Sequence, residues 1–408
     1  MDAVKLSEQL VKRKEIQEGR KKLVLLVLDG VGDIRHPDND YQTPLEAANC
    51  PNLDALASRS ALGRIIPVDY GITPGSGPAH LGLFGYDPRE VEIGRGVLEV
   101  VGMGMDLRPG DVAARANFCT VKNGVVVDRR AGRPETEVSA EKVKLLQGGI
   151  QRIEDVELVI GPSTGHRFGV IFRGPGLAEG VSDTDPHENG EPIHEAKAET
   201  PAAQKTADVV NEFVRRAQDV LQGGDPINAV MTRGIAAPPD VPSIPQRYGL
   251  RCGAIATYPM YRGLARLVGM ELLETGQSAA EEFQTYLDNR DGYDYFFIHI
   301  KATDEAGEDG SHERKVAAIE AVDEKLPMIV ESKPEVLVVT GDHSTPCSMK
   351  LHSWHPVPLL LHSPRCGADG LPHFSEGDCN CGSLGIFLAK DLLPLMLANA
   401  GLLDKYGA

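Results

Sequence analysis

The sequence predicts an α/β protein: a mostly parallel sheet flanked by helices, with a smaller α+β domain inserted into it. Three observations predict this. Continuous apolar runs such as Leu23–Leu28 and Tyr295–Ile300 end close to acidic residues, the pattern of strands buried on both faces of a parallel sheet. Helically spaced segments alternate with those runs near both ends of the chain. Between them, from about residue 112, short alternating runs and an Asn-Gly turn take over, which reads as antiparallel structure. The chain has 408 residues, more than one compact core usually holds. The expected division is residues 1–110 and 226–408 for the larger domain and 111–225 for the insert.

In chain order, residues 4–20 predict a solvated amphipathic helix with Val4, Leu6, Leu10, Val11 and Ile16 on a ragged face. Leu23–Leu28 predicts a buried strand closed by Asp29-Gly30. Thr43-Pro44 and Pro51-Asn52 open helical stretches, since proline suits a first helical turn. Apolar positions at 79, 81, 83 and 84 put Ser76 at or just before a helix N-terminus, where free N–H groups favour an anion. Residues 113–121 and 125–128 predict a hairpin about Asn123-Gly124, with further strands at 153–160 and 168–173. Residues 174–205 are rich in Gly, Pro, Asp and Glu and predict a long functional loop. A helix is expected over 203–221, ended by Gly223-Gly224. Strands follow at 227–231, 252–255, Tyr295–Ile300 and Val336–Thr340. Helices are expected at 261–268, 278–287, 315–330 and 384–402.

The net charge of -17 argues against nucleic-acid or acidic-membrane partners, which need basic patches. It leaves an anionic substrate open, because bound metals and local arginines reverse the field inside a site. Seven cysteines without framework spacing predict reduced thiols and a cytoplasmic setting. The close pair Cys379 and Cys381 lacks zinc-site spacing. Residues 1–22 are charged throughout, without the apolar centre of a signal peptide.

Chemistry concentrates after the strands. Asp29 follows Leu23–Leu28, Asp304 follows Tyr295–Ile300, Asp342 and His343 follow Val336–Thr340, and His352 comes shortly beyond. In open α/β sheets the binding crevice lies outside the carboxyl ends of the strands. Carboxylates and imidazoles are ligands for divalent metals. Ser76 sits in the Gly-rich run Thr73-Pro74-Gly75-Ser76-Gly77-Pro78-Ala79-His80, a hydroxyl placed to act as nucleophile. A single strand-ending Asp-Gly is usually just a turn. Four such positions together with His352 and Ser76 indicate a two-metal site.

Val27-Leu28-Asp29-Gly30, residues 73–85, 301–310, 341–344 and 352–358 resemble the 2,3-bisphosphoglycerate-independent phosphoglycerate mutases. The likeness is to their short archaeal-type branch, in the alkaline phosphatase superfamily. Asp128-Arg129-Arg130-Ala131-Gly132-Arg133 resembles the same branch, and the likeness runs from about residue 22 to the end. The resemblance implies an alkaline-phosphatase-like fold and Ser76 as the residue that carries the phosphoryl group. It implies Asp29, Ser76, Asp342 and His343 around one metal, and Asp304 and His352 around the other. Glu308 stands where the family commonly has a histidine; it ranks first for that place, with Asp309 and His312 as alternatives. Manganese or magnesium is expected, with zinc or cobalt as further candidates and no 2,3-bisphosphoglycerate. The activity implied is interconversion of 3-phosphoglycerate and 2-phosphoglycerate, by a monomer or small homo-oligomer with no nucleic-acid or membrane partner.

On the substrate side the resemblance points to Arg129, Arg130 and Arg133, whose planar forks suit phosphate and carboxylate. Asp185 and His187, in Ser182-Asp183-Thr184-Asp185-Pro186-His187, are expected to face the substrate. Arg167 is a further candidate, and Arg262 is expected to reach the phosphate. Lys301 has two readings, phosphate binding or pairing with a ligand aspartate. Asp128 or Asp185 would be the base that takes a proton from glycerate, with the insert excluding water. His80 is a candidate to orient the nucleophile turn, and His299 reads as structural. His36, His355, His362 and His373 carry no motif role. Rival readings are a metal-dependent phosphatase, phosphopentomutase or phosphonate hydrolase of the same superfamily, or a metal-stabilised binding protein. A sulfatase would need an arginine soon after the nucleophile, and none follows Ser76.

Overall fold

A computed structural model describes residues 2–19 and 21–407. It divides into two compact units, one formed by residues 1–92 and 241–408, the other by residues 93–240. The insert is therefore wider than the expected 111–225. The helix Arg95–Gly102 packs on the strands Val112–Lys122 and Ala229–Ala236. Those two strands also pair with each other along most of their length. The run expected as residues 227–231 of the larger domain thus belongs to the insert, because its hydrogen-bonding partner lies there.

The first unit holds an eight-stranded sheet. Its order is Glu271–Leu272, Cys252–Ala256, Tyr295–Ile300, Leu23–Leu28, Val336–Thr340, Val357–His362, Ala61–Ile66 and Gly385–Leu388. Only Val357–His362 runs against its neighbours; the other pairings are parallel. Leu23–Leu28 lies between Tyr295–Ile300 and Val336–Thr340 and is buried along its whole length, which is why it reads as unbroken apolar sequence. The three strands bearing the acidic residues are consecutive neighbours, so their carboxyl ends converge on one edge of the sheet.

Several element readings shift. The strands Ala61–Ile66 and Val357–His362 lie in runs not read as strands. The expected helix at 315–330 is two, His312–Lys325 and Pro327–Glu331, since Pro327 cannot donate in a helix interior. The expected helix at 384–402 shortens to Leu392–Asn399, preceded by the edge strand Gly385–Leu388. The N-terminal helix is broken into Ala3–Leu10 and Arg13–Gln17, and residue 20 of that reading lies outside the described residues. No helix among the described residues is long and apolar enough to cross a membrane.

The second unit is a six-stranded sheet whose pairings are all antiparallel. Val112–Lys122 is its spine, pairing with Val125–Asp128, Arg167–Arg173 and Ala229–Ala236. The helices Thr136–Gly149 and Gln204–Leu221 contribute to its apolar core with Val143, Leu146, Val210 and Phe213. The loop at 174–205 stays largely irregular apart from the short turn Pro201–Ala203.

Candidate active site

Three consecutive strands deliver the acidic residues. Asp29 leaves Leu23–Leu28 with its N–H bonded to the Ile300 carbonyl at 2.9 Å, so the neighbouring strand fixes where its side chain starts. Gly30 N–H donates to Asp342 Oδ1 at 3.1 Å. Gly30 has φ +60, and a Cβ there would lie 2.4 Å from Thr345 Oγ1 and 2.6 Å from Asp304 Oδ1. Only glycine allows this close approach of the strand ends.

Asp29, Asp342 and His343 are fully buried and form one group that can hold a metal ion. His343 Nε2 lies 3.3 Å from Asp29 Oδ1 and 3.2 Å from Asp342 Oδ2. These three atoms have no hydrogen-bond partner. Buried polar atoms are nearly always satisfied, so three orphans converging on one point call for a cation. Burial pushes both carboxyls up. At Asp29 the hydrogen bond and charge of His299, with His343 and Lys301, outweigh it and hold that carboxyl well below its usual range. Asp342 is held well above, by burial and then by the negative charge of Asp29. Two carboxylates at such range cannot both ionise without positive charge nearby. Burial also holds the His343 imidazole well below its usual range, which leaves it neutral, the form that binds metal.

Asp304, His343 and His352 form the second group that can hold a metal ion. His352 Nε2 lies 3.8 Å from Asp304 Oδ1 and 3.8 Å from Glu308 Oε1. Glu308 is one helical turn after Asp304 in the helix Ala302–Glu308, hence on the same face. The alternative Asp309 pairs with Arg314. His352 Nδ1 donates to the Pro74 carbonyl at 3.0 Å, which leaves Nε2 as the free lone pair. Oxygen-rich sets with imidazole fit two hard or borderline divalent cations.

Ser76 opens the helix Ser76–Leu83, with Gly75 as its cap. Its carbonyl accepts from His80 Nδ1 at 2.8 Å, and that nitrogen is 3.4 Å from Asp342 Oδ2. His80 therefore ties the Ser76 turn to Asp342, and burial brings its pKa down to about 3. Lys301 Nζ is 3.0 Å from Asp29 Oδ2 and also contacts Asp304 Oδ2. Lys301 thus pairs with both aspartates. Arg262, expected to reach the phosphate, donates to the Ala256 carbonyl and to Glu274.

In the second unit the arginine run makes a tight turn. Asp128 accepts the N–H groups of Arg130 at 2.8 Å and Gly132 at 2.7 Å, while Ala131, Gly132 and Arg133 all have positive φ. Arg129 binds both oxygens of Asp185, each at 2.8 Å. The His187 N–H donates to Asp185 Oδ1 at 3.0 Å, and its Nε2 lies 3.5 Å from Asp183. Asp185 is buried; burial raises its carboxyl, but Arg129 outweighs this and holds it below the usual range. Asp185 thus anchors Arg129. Burial and the charges of Arg167, Arg115 and Arg130 bring His166 down to about 4.

A family profile described as 2,3-bisphosphoglycerate-independent phosphoglycerate mutase matches residues 57–228. The probable 2,3-bisphosphoglycerate-independent phosphoglycerate mutase of Thermotoga maritima is 52% identical over 395 residues, covering 97% of this chain and 98% of that protein. The chain belongs to this family. The protein of the same description in Thermus thermophilus is 48% identical over 396 residues, covering 96% of this chain and 97% of its own. A solved cofactor-independent phosphoglycerate mutase from Thermoplasma acidophilum superposes with a TM-score of 0.80 at 30% identity, over 93% of this chain and all of that one. The enzyme is thus a phosphoglycerate mutase, an isomerase.

Sequence reasoning missed four residues of this enzyme. Thr345 Oγ1 donates to Asp304 Oδ1 at 2.7 Å and lies 3.0 Å from His343 Nδ1. Lys315, fully buried on the helix His312–Lys325, ties the turns that carry the ligands. Arg115 and Arg233 stand directly opposite each other on paired strands. Carboxylates stand near both, Glu99 4.0 Å from Arg115 and Asp185 3.8 Å from Arg233. Only the pairing brings the two arginines together; an arginine in an alternating strand otherwise reads as a solvated face.

Proposed function

We propose that the enzyme interconverts 3-phosphoglycerate and 2-phosphoglycerate, a step of glycolysis and gluconeogenesis, through a phosphoserine on Ser76. The observation that carries this is the trio of buried, unpartnered atoms on Asp29, Asp342 and His343, linked through His80 to the turn that holds Ser76. Asp29, Ser76, Asp342 and His343 would hold one divalent cation; Asp304, Glu308 and His352 would hold the other. Manganese or magnesium suits these oxygen-rich sets, with zinc and cobalt as further candidates. When bound, the cations supply positive charge to the phosphoryl oxygens and the serine oxygen.

Ser76 Oγ attacks phosphorus in line. The Oγ–P bond forms, the bond from phosphorus to the glycerate C3 oxygen breaks, and the serine proton ends on that oxygen. Glycerate then turns, and its C2 oxygen attacks the phosphoserine as its own proton is removed. The P–Oγ bond breaks and Ser76 regains a proton, so nothing is oxidised or reduced. Asp128 or Asp185 would be the base on glycerate; Asp128 is the more exposed of the two. Arg129, Arg130, Arg133 and His187 are assigned to the substrate's anionic groups, joined by Arg115 and Arg233.

The test supplies 3-phosphoglycerate and manganese, without 2,3-bisphosphoglycerate, to the purified enzyme coupled to enolase. Phosphoenolpyruvate should form with little free phosphate, and Ser76→Ala should abolish it. Free phosphate without phosphoenolpyruvate would instead make the protein a hydrolase.

A further inference from the structure

Tyr261 lies in the first turn of the helix Pro259–Leu267 and has no exposed surface. Its ring packs on two imidazoles, His299 at 3.9 Å and His80 at 4.6 Å between centroids. Each imidazole touches the acidic centre: His299 Nε2 is 3.4 Å from Asp29 Oδ2, and His80 Nδ1 is 3.4 Å from Asp342 Oδ2. The Lys301 ammonium stands 5.6 Å from the centroid of the same ring. Tyr261 is therefore boxed in by residues that contact the ligands, and its hydroxyl is in electrostatic reach of Asp29, Asp342 and Ser76.

That hydroxyl is buried; it stands near Asp29 and Ser76, but no group among the described residues meets it in full hydrogen-bond geometry. Leaving a hydroxyl so is unfavourable, and phenylalanine would fill the same space without that penalty. A tyrosine kept there is accounted for if its partner appears during the reaction. In a dry site, a donor aimed at an oxygen that gains charge acts most strongly in the transition state.

We infer that the Tyr261 hydroxyl donates a hydrogen bond to the Ser76 oxygen while that oxygen is negatively charged, as attacking group in one half-reaction and leaving group in the other. This rests on Ser76 being the nucleophile. Tyr261 keeps its own proton throughout; the bonds that form and break are those at phosphorus. Its donor is used twice per turnover, because the same serine oxygen enters and leaves.

Tyr261→Phe removes one oxygen and preserves the ring. The experiment measures kcat and KM for 3-phosphoglycerate, Mn²⁺ affinity by calorimetry, and the thermal midpoint, for wild type, Tyr261→Phe and Ser76→Ala. The expected result is a kcat lowered about 10²-fold in Tyr261→Phe, with KM, Mn²⁺ affinity and melting unchanged or the melting raised. A rapid-quench single turnover should show phosphoserine formation slowed by the same factor. An undiminished kcat overturns the inference. So does a kcat loss matched by an equal loss of Mn²⁺ affinity, which would make the hydroxyl a support for Asp29 alone. Activity surviving in Ser76→Ala would overturn the phosphoserine reading itself, an outcome distinct from a silent Tyr261→Phe beside a dead Ser76→Ala.

Discussion

His343 shows how much one side chain is asked to do at the candidate metal centre. Its Nε2 faces Asp29 and Asp342 without a hydrogen bond, and its Nδ1 lies 3.0 Å from the Thr345 hydroxyl. Thr345 uses its own proton on Asp304, so it accepts from Nδ1–H and leaves Nε2 as the lone pair for metal. A single hydroxyl thereby sets the tautomer in one ligand group and steadies a carboxylate in the other. Thr345→Val keeps the shape and deletes this hydroxyl. Partners of this kind typically contribute about 10–100-fold in metal affinity or activity. Mn²⁺ binding by calorimetry should weaken within that range while circular dichroism stays native; unaltered Mn²⁺ binding would remove Thr345 from the centre. The candidate ligands were legible because each follows a strand end, where Asp29, Asp304, Asp342 and His343 stand out against apolar runs. Thr345 was not, since a threonine two residues past a histidine resembles any other loop threonine.

The elements are held in place by one buried cation. Lys315 Nζ donates to the Gly32 carbonyl at 3.2 Å, to Asp33 Oδ2 at 2.9 Å and to the Thr345 carbonyl at 2.9 Å. All three ammonium protons are used, and they join the helix His312–Lys325 to the turns following two central strands. Asp33 in turn accepts the N–H groups of Ile34 and Cys347. Removing one partner of a buried, hydrogen-bonded ion pair strands the other and costs about 3–5 kcal/mol. Lys315→Met should lower the urea midpoint accordingly, and adding Asp33→Asn should recover part of the loss. Equal stability of Lys315→Met and wild type would show that the pair holds nothing. The sequence reading placed Lys315 at the start of a helix and assigned it no role. Periodicity marks apolar faces, and a buried lysine is invisible to it. The strand Val357–His362 escaped notice for a related reason: proline and a terminal histidine interrupt its run.

At the scale of the whole molecule, the α/β architecture and the presence of an insert were readable from the change in sequence style near residue 112. The insert's edges were not, because the strand Ala229–Ala236 and the helix Arg95–Gly102 resemble elements of the larger unit and are distinguished only by what they pack against. A global property hidden in the same way is the dependence of stability on pH. Glu282 sits on the inner face of the helix Ala279–Asn289, only 2% exposed, and its Oε2 has no partner. Burial alone pushes its carboxyl up from 4.5 to about 9. Below about pH 4.5 the group is neutral in both folded and unfolded chains, so its pH-dependent contribution is fully retained. As pH rises, the unfolded chain releases the proton while the folded chain keeps it, and each unit removes up to about 1.4 kcal/mol until the folded pKa is reached. Glu282→Gln has no such proton. It should therefore gain on wild type between pH 5 and pH 8 by a few kcal/mol in urea unfolding, the other titrating groups cancelling in the comparison. A stability difference identical at both pH values would mean that burial does not raise the Glu282 carboxyl in the folded enzyme.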